Sequence, residues 1–138
     1  MTNKQLKREV KNKTPKRGEI PSIPRRGEIW LIKCDKIKEF SKDYRPGLVI
    51  SSDIQNEYDN FVVVAMMTTD DLENVRLFEV FIKNTPETGL DEPSKIVLNH
   101  PFTVFRELRL EKYLGVASRE TMEKVKVAWK VAFDSEEW

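Results

Sequence analysis

The sequence contains a single cysteine, Cys34, and a single histidine, His100, in 138 residues. One cysteine excludes an intrachain disulfide and points to a reducing, cytoplasmic setting. One of each leaves too few ligands for a Cys/His metal centre in one chain. The five glycines are scattered and form no phosphate-cradling loop of the dinucleotide or P-loop type. Long apolar runs are absent: the longest, Phe61 to Met67, has seven residues, far short of the ~18 that a membrane helix needs. No apolar stretch follows the basic N-terminus, so no secretory signal and no membrane partner are expected. No carboxylate cluster suggests a metal-nuclease site, and no cofactor is implied.

What is present is charge, unevenly placed. Residues 1–26 hold nine Lys or Arg against two Glu, a net +7, whereas residues 27–138 carry −6. The chain therefore reads as a basic arm on a mildly acidic body. Pro15, Pro21 and Pro24 break any helix in the arm, and few large apolar side chains occur there. Residues 1–24 are expected to be a disordered arm and residues 25–138 one domain. The arm has two readings, an electrostatic tether for nucleic acid or a solvated leader; its composition favours the second.

From Arg26 the texture changes. Gly27–Cys34, Pro46–Ser52, Phe61–Thr69, Phe78–Lys83, Ser94–Phe105 and Leu114–Ala117 read as strands, the fifth bent at Pro101. The Phe61–Thr69 run is apolar throughout, which predicts cover on both faces. Lys36–Tyr44 and Asn84–Pro93 read as loops; Asp53–Tyr58 is polar and allows a helical turn. Ser118 reads as an N-cap, followed by Met122, Val125, Trp129, Ala132 and Phe133 at helical spacing. That stripe predicts core packing. The fold class is mainly β (α+β), a small strongly curved barrel of five to seven strands with a C-terminal helix.

Three constellations carry possible chemistry. In Tyr44-Arg45-Pro46, the proline fixes its own φ and drives Arg45 toward an extended conformation. Arginine stays charged and grips phosphate through parallel hydrogen bonds. Thr68 and Thr69 end the apolar strand, and alternation sends their hydroxyls to opposite faces. If the second and third strands pair, one of them shares a face with Arg45. Third, His100 lies in Asn99-His100-Pro101-Phe102-Thr103, and histidine is the side chain type with an unperturbed pKa near ~6.5, suited to general acid–base work. Phe102 reads as core or as a platform for a base.

Taken in order, these segments resemble a known family. Arg26-Gly27-Glu28-Ile29-Trp30 is similar to the RGEIW/RGDVY opening of the MazF/PemK toxins. Arg45 to Ile50 resembles that family's RPxLVI, Asp53 to Asn56 its DIxN turn, and Leu98 to Val104 the PemK-like CDQPRTI. The similarity runs over about residues 25–134. It implies an SH3-like barrel, a homodimer, and a metal-independent endoribonuclease that cuts single-stranded RNA. It further implies 2′-hydroxyl attack, a cyclic phosphate product and inhibition by an acidic antitoxin segment. Carried over residue by residue, catalysis is expected at Arg45 and Thr68. His100 is a candidate because it stands where the family has glutamine. RNA contacts are expected at Tyr44, Ser52, Asn56, Thr69, Phe102 and Thr103. The family's aspartate and arginine positions hold Asn99 and Phe102 here. The alternative is a non-catalytic protein on the same barrel, resembling the gyrase poison CcdB or a degenerate RNA binder, with Trp129 and Trp138 as a partner surface.

Overall fold

The computed structural model describes residues 23–134. The basic arm, apart from Ile23 and Pro24, and Trp138 lie outside the described residues. Seven strands form one antiparallel sheet: β1 Glu28–Lys33, β2 Tyr44–Val49, β3 Phe61–Thr68, β4 Glu79–Ile82, β5 Ser94–Val97, β6 Phe102–Phe105 and β7 Leu110–Val116. Three helices accompany them: α1 Asp53–Tyr58, α2 Arg106–Arg109 and α3 Arg119–Ala132. The path runs β4-β5-β3-β2-β1-β7, with β6 also paired to β3.

β3 organises this arrangement. One edge pairs with β2, while the other pairs with β6 through Phe61–Val64 and with β5 through Met67–Thr68. Its side chains alternate between two cores. Ala65 and Met67 join Ile29, Leu48 and Ile96 beneath α3, whereas Val64 and Met66 join Trp30, Ile32, Val49 and Val104. Both faces are thus covered, as the apolar run predicts.

Several boundaries depart from the sequence reading. Ser94–Phe105 is not one strand: 98–101 leaves the sheet and separates β5 from β6. β5 and β6 then bind different halves of β3, which bends the sheet toward closure. The second strand ends at Val49, because Ser51 and Ser52 turn away. The Ser52 hydroxyl accepts from Gln55 N–H and caps α1, a real helix. β7 begins four residues early, at Leu110, because it pairs along most of β1. α2 has no periodic signature and was not anticipated.

Ser118 does cap α3, accepting from Thr121 N–H at 3.1 Å. The stripe is narrower than expected, however. Val125 and Ala128 are buried, but Trp129 and Phe133 are 38% and 37% exposed. Their rings stack on one another at 4.4 Å, not in the core.

Candidate active site

Arg45, Gly47 and Val49 alternate onto one face of β2, and Val64, Met66 and Thr68 onto one face of β3. Gly47 pairs with Met66 and Val49 with Val64. Carrying that register two residues further sets Arg45 opposite Thr68 on the same face. Gly47 is needed beside them: a Cβ there would lie 2.7 Å from Ile32 Cγ1 and 3.3 Å from Met66 Sδ.

Arg45 and Thr68 line a cleft of about 310 Å³ with Glu39, Phe40, Met66, Met67, Val97, His100 and Phe102. Arg45 is half-buried, and its Nε is buried with no hydrogen-bond partner. No described carboxylate forms an ion pair with it. Its guanidinium instead lies over the Phe40 ring, 5.5 Å from the centroid. A partly desolvated cation without an acid partner is unfavourable in isolation. It becomes favourable when an anion enters.

Thr68 is prepared to donate. Its Oγ1 accepts from Asp70 N–H at 3.1 Å, and no described residue accepts its own proton. His100 is exposed at the rim, while Asn99 beside it has a buried Oδ1 with no partner. Under the cleft, Cys34 is 1% exposed and its thiol donates to Ile32 O at 3.4 Å. Burial pushes the Cys34 thiol up, against the opposing pull of the Arg45 charge. It stays protonated and contributes packing. No three His, Cys, Asp or Glu side chains converge on a possible metal position among the described residues.

The cleft gathers Arg45, Thr68, His100 and Phe102; the other predicted residues lie elsewhere. Thr69 falls past the end of β3 and is exposed. Thr103 alternates away from Phe102 on β6, opposite Val63. Tyr44 is 44% exposed at the start of β2, outside the cleft lining. Ser52 is occupied as the α1 cap. Asn56 is fully buried: its Nδ2 donates to Ser51 O and its Oδ1 accepts from the Ser51 hydroxyl. That amide ties α1 to the strand end and cannot meet a ligand from solvent in this conformation. The sequence reading missed Glu39 and Phe40. The available signal was a phenylalanine isolated in the otherwise charged stretch Lys38-Glu39-Phe40-Ser41-Lys42.

A family model described as the PemK-like, MazF-like toxin of type II toxin-antitoxin systems matches residues 25–133. The chain belongs to this family. Among similar solved structures is an endoribonuclease from a mycobacterial species in complex with its cognate antitoxin. It has a TM-score of 0.66 and 19% identity, covering 81% of this chain and 96% of that one. The Mycobacterium tuberculosis toxin MazF-mt6 gives 0.64 and 21%, covering 78% and 96%. MazF from Deinococcus radiodurans gives 0.63 and 18%, covering 79% and 94%. These likenesses show the shared MazF fold. No curated protein matches the chain. No helix among the described residues is long and apolar enough to cross a membrane.

A second cavity, about 550 Å³, lies between α3 and the sheet and is lined by Arg26, Ile50, Met122, Val125 and Trp129 among others. It is larger than the Arg45 cleft but is lined by none of Arg45, Thr68, His100 and Phe102.

Proposed function

We propose that this MazF/PemK-family chain is a cytoplasmic, metal-independent endoribonuclease toxin acting on single-stranded RNA. The observation that carries the reading is the half-buried Arg45 guanidinium, ion-paired to no described carboxylate, sharing a cleft with the Thr68 hydroxyl. A phosphodiester supplies the anion that Arg45 lacks. In the reaction, the RNA's 2′-oxygen attacks the adjacent phosphorus and the bond to the 5′-oxygen breaks. The products are a 2′,3′-cyclic phosphate and a 5′-hydroxyl. Negative charge gathers on the phosphoryl oxygens on the way. Arg45 and the Thr68 proton stabilise that charge from fixed positions, which is where electrostatic preorganisation is most effective. His100 stands at the rim, where it can move a proton between the 2′-hydroxyl, solvent and the departing 5′-oxygen. Phe102 contributes an apolar wall.

The partners follow from the same reading: an acidic antitoxin segment that competes for the cationic cleft, and a second copy of the chain. A similar mycobacterial endoribonuclease is found with its cognate antitoxin, which supports the first. The test is incubation of the purified, antitoxin-free protein with a long unstructured RNA in EDTA, beside Arg45→Ala. Discrete cuts with cyclic-phosphate ends, reduced ~10²–10³-fold in Arg45→Ala, are expected. Folded protein that leaves the RNA intact would overturn the enzyme reading in favour of the CcdB-like alternative, then tested by gyrase inhibition.

A further inference from the structure

We propose that Phe40 and Phe102 together form a base-stacking subsite for the nucleobase next to the phosphate held by Arg45; this rests on the ribonuclease reading. Phe40 belongs to the loop joining β1 to β2, yet its ring packs against Phe102 of β6, centroids 4.9 Å apart and planes tilted by 50°. Arg45 lies over the same ring at 5.5 Å. Phe40 therefore joins the phosphate-directed cation to a second aromatic that lines the same cleft. Both rings are only half-buried.

The loop is built to hold Phe40 there. Its ends are tied by Cys34 N–H donating to Asp43 O, and Phe40 N–H donates to Ile37 O at 3.1 Å. Arg109 anchors the entry, its Nη1 donating to Lys33 O at 3.1 Å and to Asp35 O at 2.9 Å. Otherwise the tip is charged, so an apolar ring at position 40 is not explained by solvation. Packing on Phe102 and on the core around Met66 and Val104 explains why it stays, and the cleft that both rings line explains what it is for. A base is tethered to its phosphate by one sugar, so a stacking surface beside a phosphate-binding group meets that base. The rings already touch, so the base lies against them from the cleft and does not intercalate. Recognition of this kind uses the π-face and is tolerant of base identity.

The test uses an RNA oligonucleotide spanning the cut site that wild type reveals, made uncleavable by 2′-deoxy substitution at the scissile nucleotide. It carries 2-aminopurine at successive positions. Wild type is expected to quench the fluorophore at one position flanking the scissile phosphate. Phe40→Ala and Phe102→Ala should abolish that quench and weaken binding about 5- to 150-fold. The salt dependence of binding should be unchanged in both, because stacking releases no counterions. Arg45→Ala should instead reduce the slope by about 0.7. Phe40→Trp should restore binding, and Phe40→Leu separates loop packing from ring stacking if Phe40→Ala does not fold. Cleaving wild type with Phe40→Ala and Phe102→Ala binding normally would overturn the subsite and leave the ribonuclease reading standing. A changed salt slope in Phe40→Ala would also overturn it, because the ring would then act only by positioning Arg45. A wild type that neither cuts nor binds RNA overturns both.

Discussion

Arg45 stands in conflict with the stability of its own domain, and that conflict can be measured. Consider Arg45→Met, which keeps an unbranched apolar stem against Ile32 and Phe40 and removes the guanidinium. The loss is the contact with the Phe40 ring at 5.5 Å, worth about 0.5–1 kcal/mol at a partly exposed site. The gain is relief of a buried Nε that has no partner, about 1–3 kcal/mol. No ion pair is broken, because no described carboxylate pairs with Arg45. The net expectation is between no change and about 2 kcal/mol of added stability. For a domain of this size the melting temperature should rise by up to about 8 °C. The same substitution should lower RNA cleavage ~10²–10³-fold, or about 2.7–4 kcal/mol of transition-state stabilisation. Arg45→Lys keeps the charge but not the planar fork, and should recover only part of the rate. Thermal unfolding and single-turnover cleavage on one preparation read both quantities. A melting temperature that falls by more than ~4 °C in Arg45→Met, equivalent to about 1 kcal/mol of lost stability, would refute the reasoning.

Three further outcomes follow from other parts of the molecule. His100→Ala should lower cleavage by ~10²–10⁴ and remove one limb of the pH–rate profile; an unchanged rate and profile would exclude His100 from proton transfer. Lys95 is 5% exposed, and its Nζ donates to Asp71 O, Asn74 O and Glu79 Oε1 at 3.0, 3.1 and 3.3 Å. Lys95→Met should cost about 3–5 kcal/mol in denaturant unfolding by stranding Glu79, with partial recovery in Lys95→Met/Glu79→Gln. Glu28 is 4% exposed, and burial holds its carboxyl above its ordinary value of 4.5 despite hydrogen bonds from Arg25 N–H and Trp30 Nε1. The folded state therefore keeps this proton longer than the unfolded chain, so wild-type stability falls as pH rises from 4.5 through the raised value. In Glu28→Gln that fall should be absent; parallel stability curves for the two proteins would contradict it.

Local pattern was enough for much of this. The period-two texture, the Ser118 cap and the apolar β3 run are properties of neighbouring residues, and each took the structure the sequence implied. Arg45, Thr68, His100 and Phe102 were also legible, because short family-like motifs surround them. Asn56 shows the limit of that method. Its motif suggested RNA, but an asparagine that satisfies both ends of its amide on Ser51 is recognisable only once the strand end and α1 are placed together. Trp129 shows another: helical spacing gave a stripe, but of α3 only Val125 and Ala128 are buried, with Met122 partly buried against the same core.

By itself, then, the sequence determined the strand-rich class and the terminal helix. These depend on propensity, periodicity and spacing within a few residues. Tertiary structure alone decided that 98–101 splits one apparent strand into β5 and β6, and that Phe40 packs on Phe102 of β6. It also left Arg45 without an ion pair to any carboxylate among the described residues. Each of those depends on contacts between residues far apart in the chain, where no local preference can specify which groups meet.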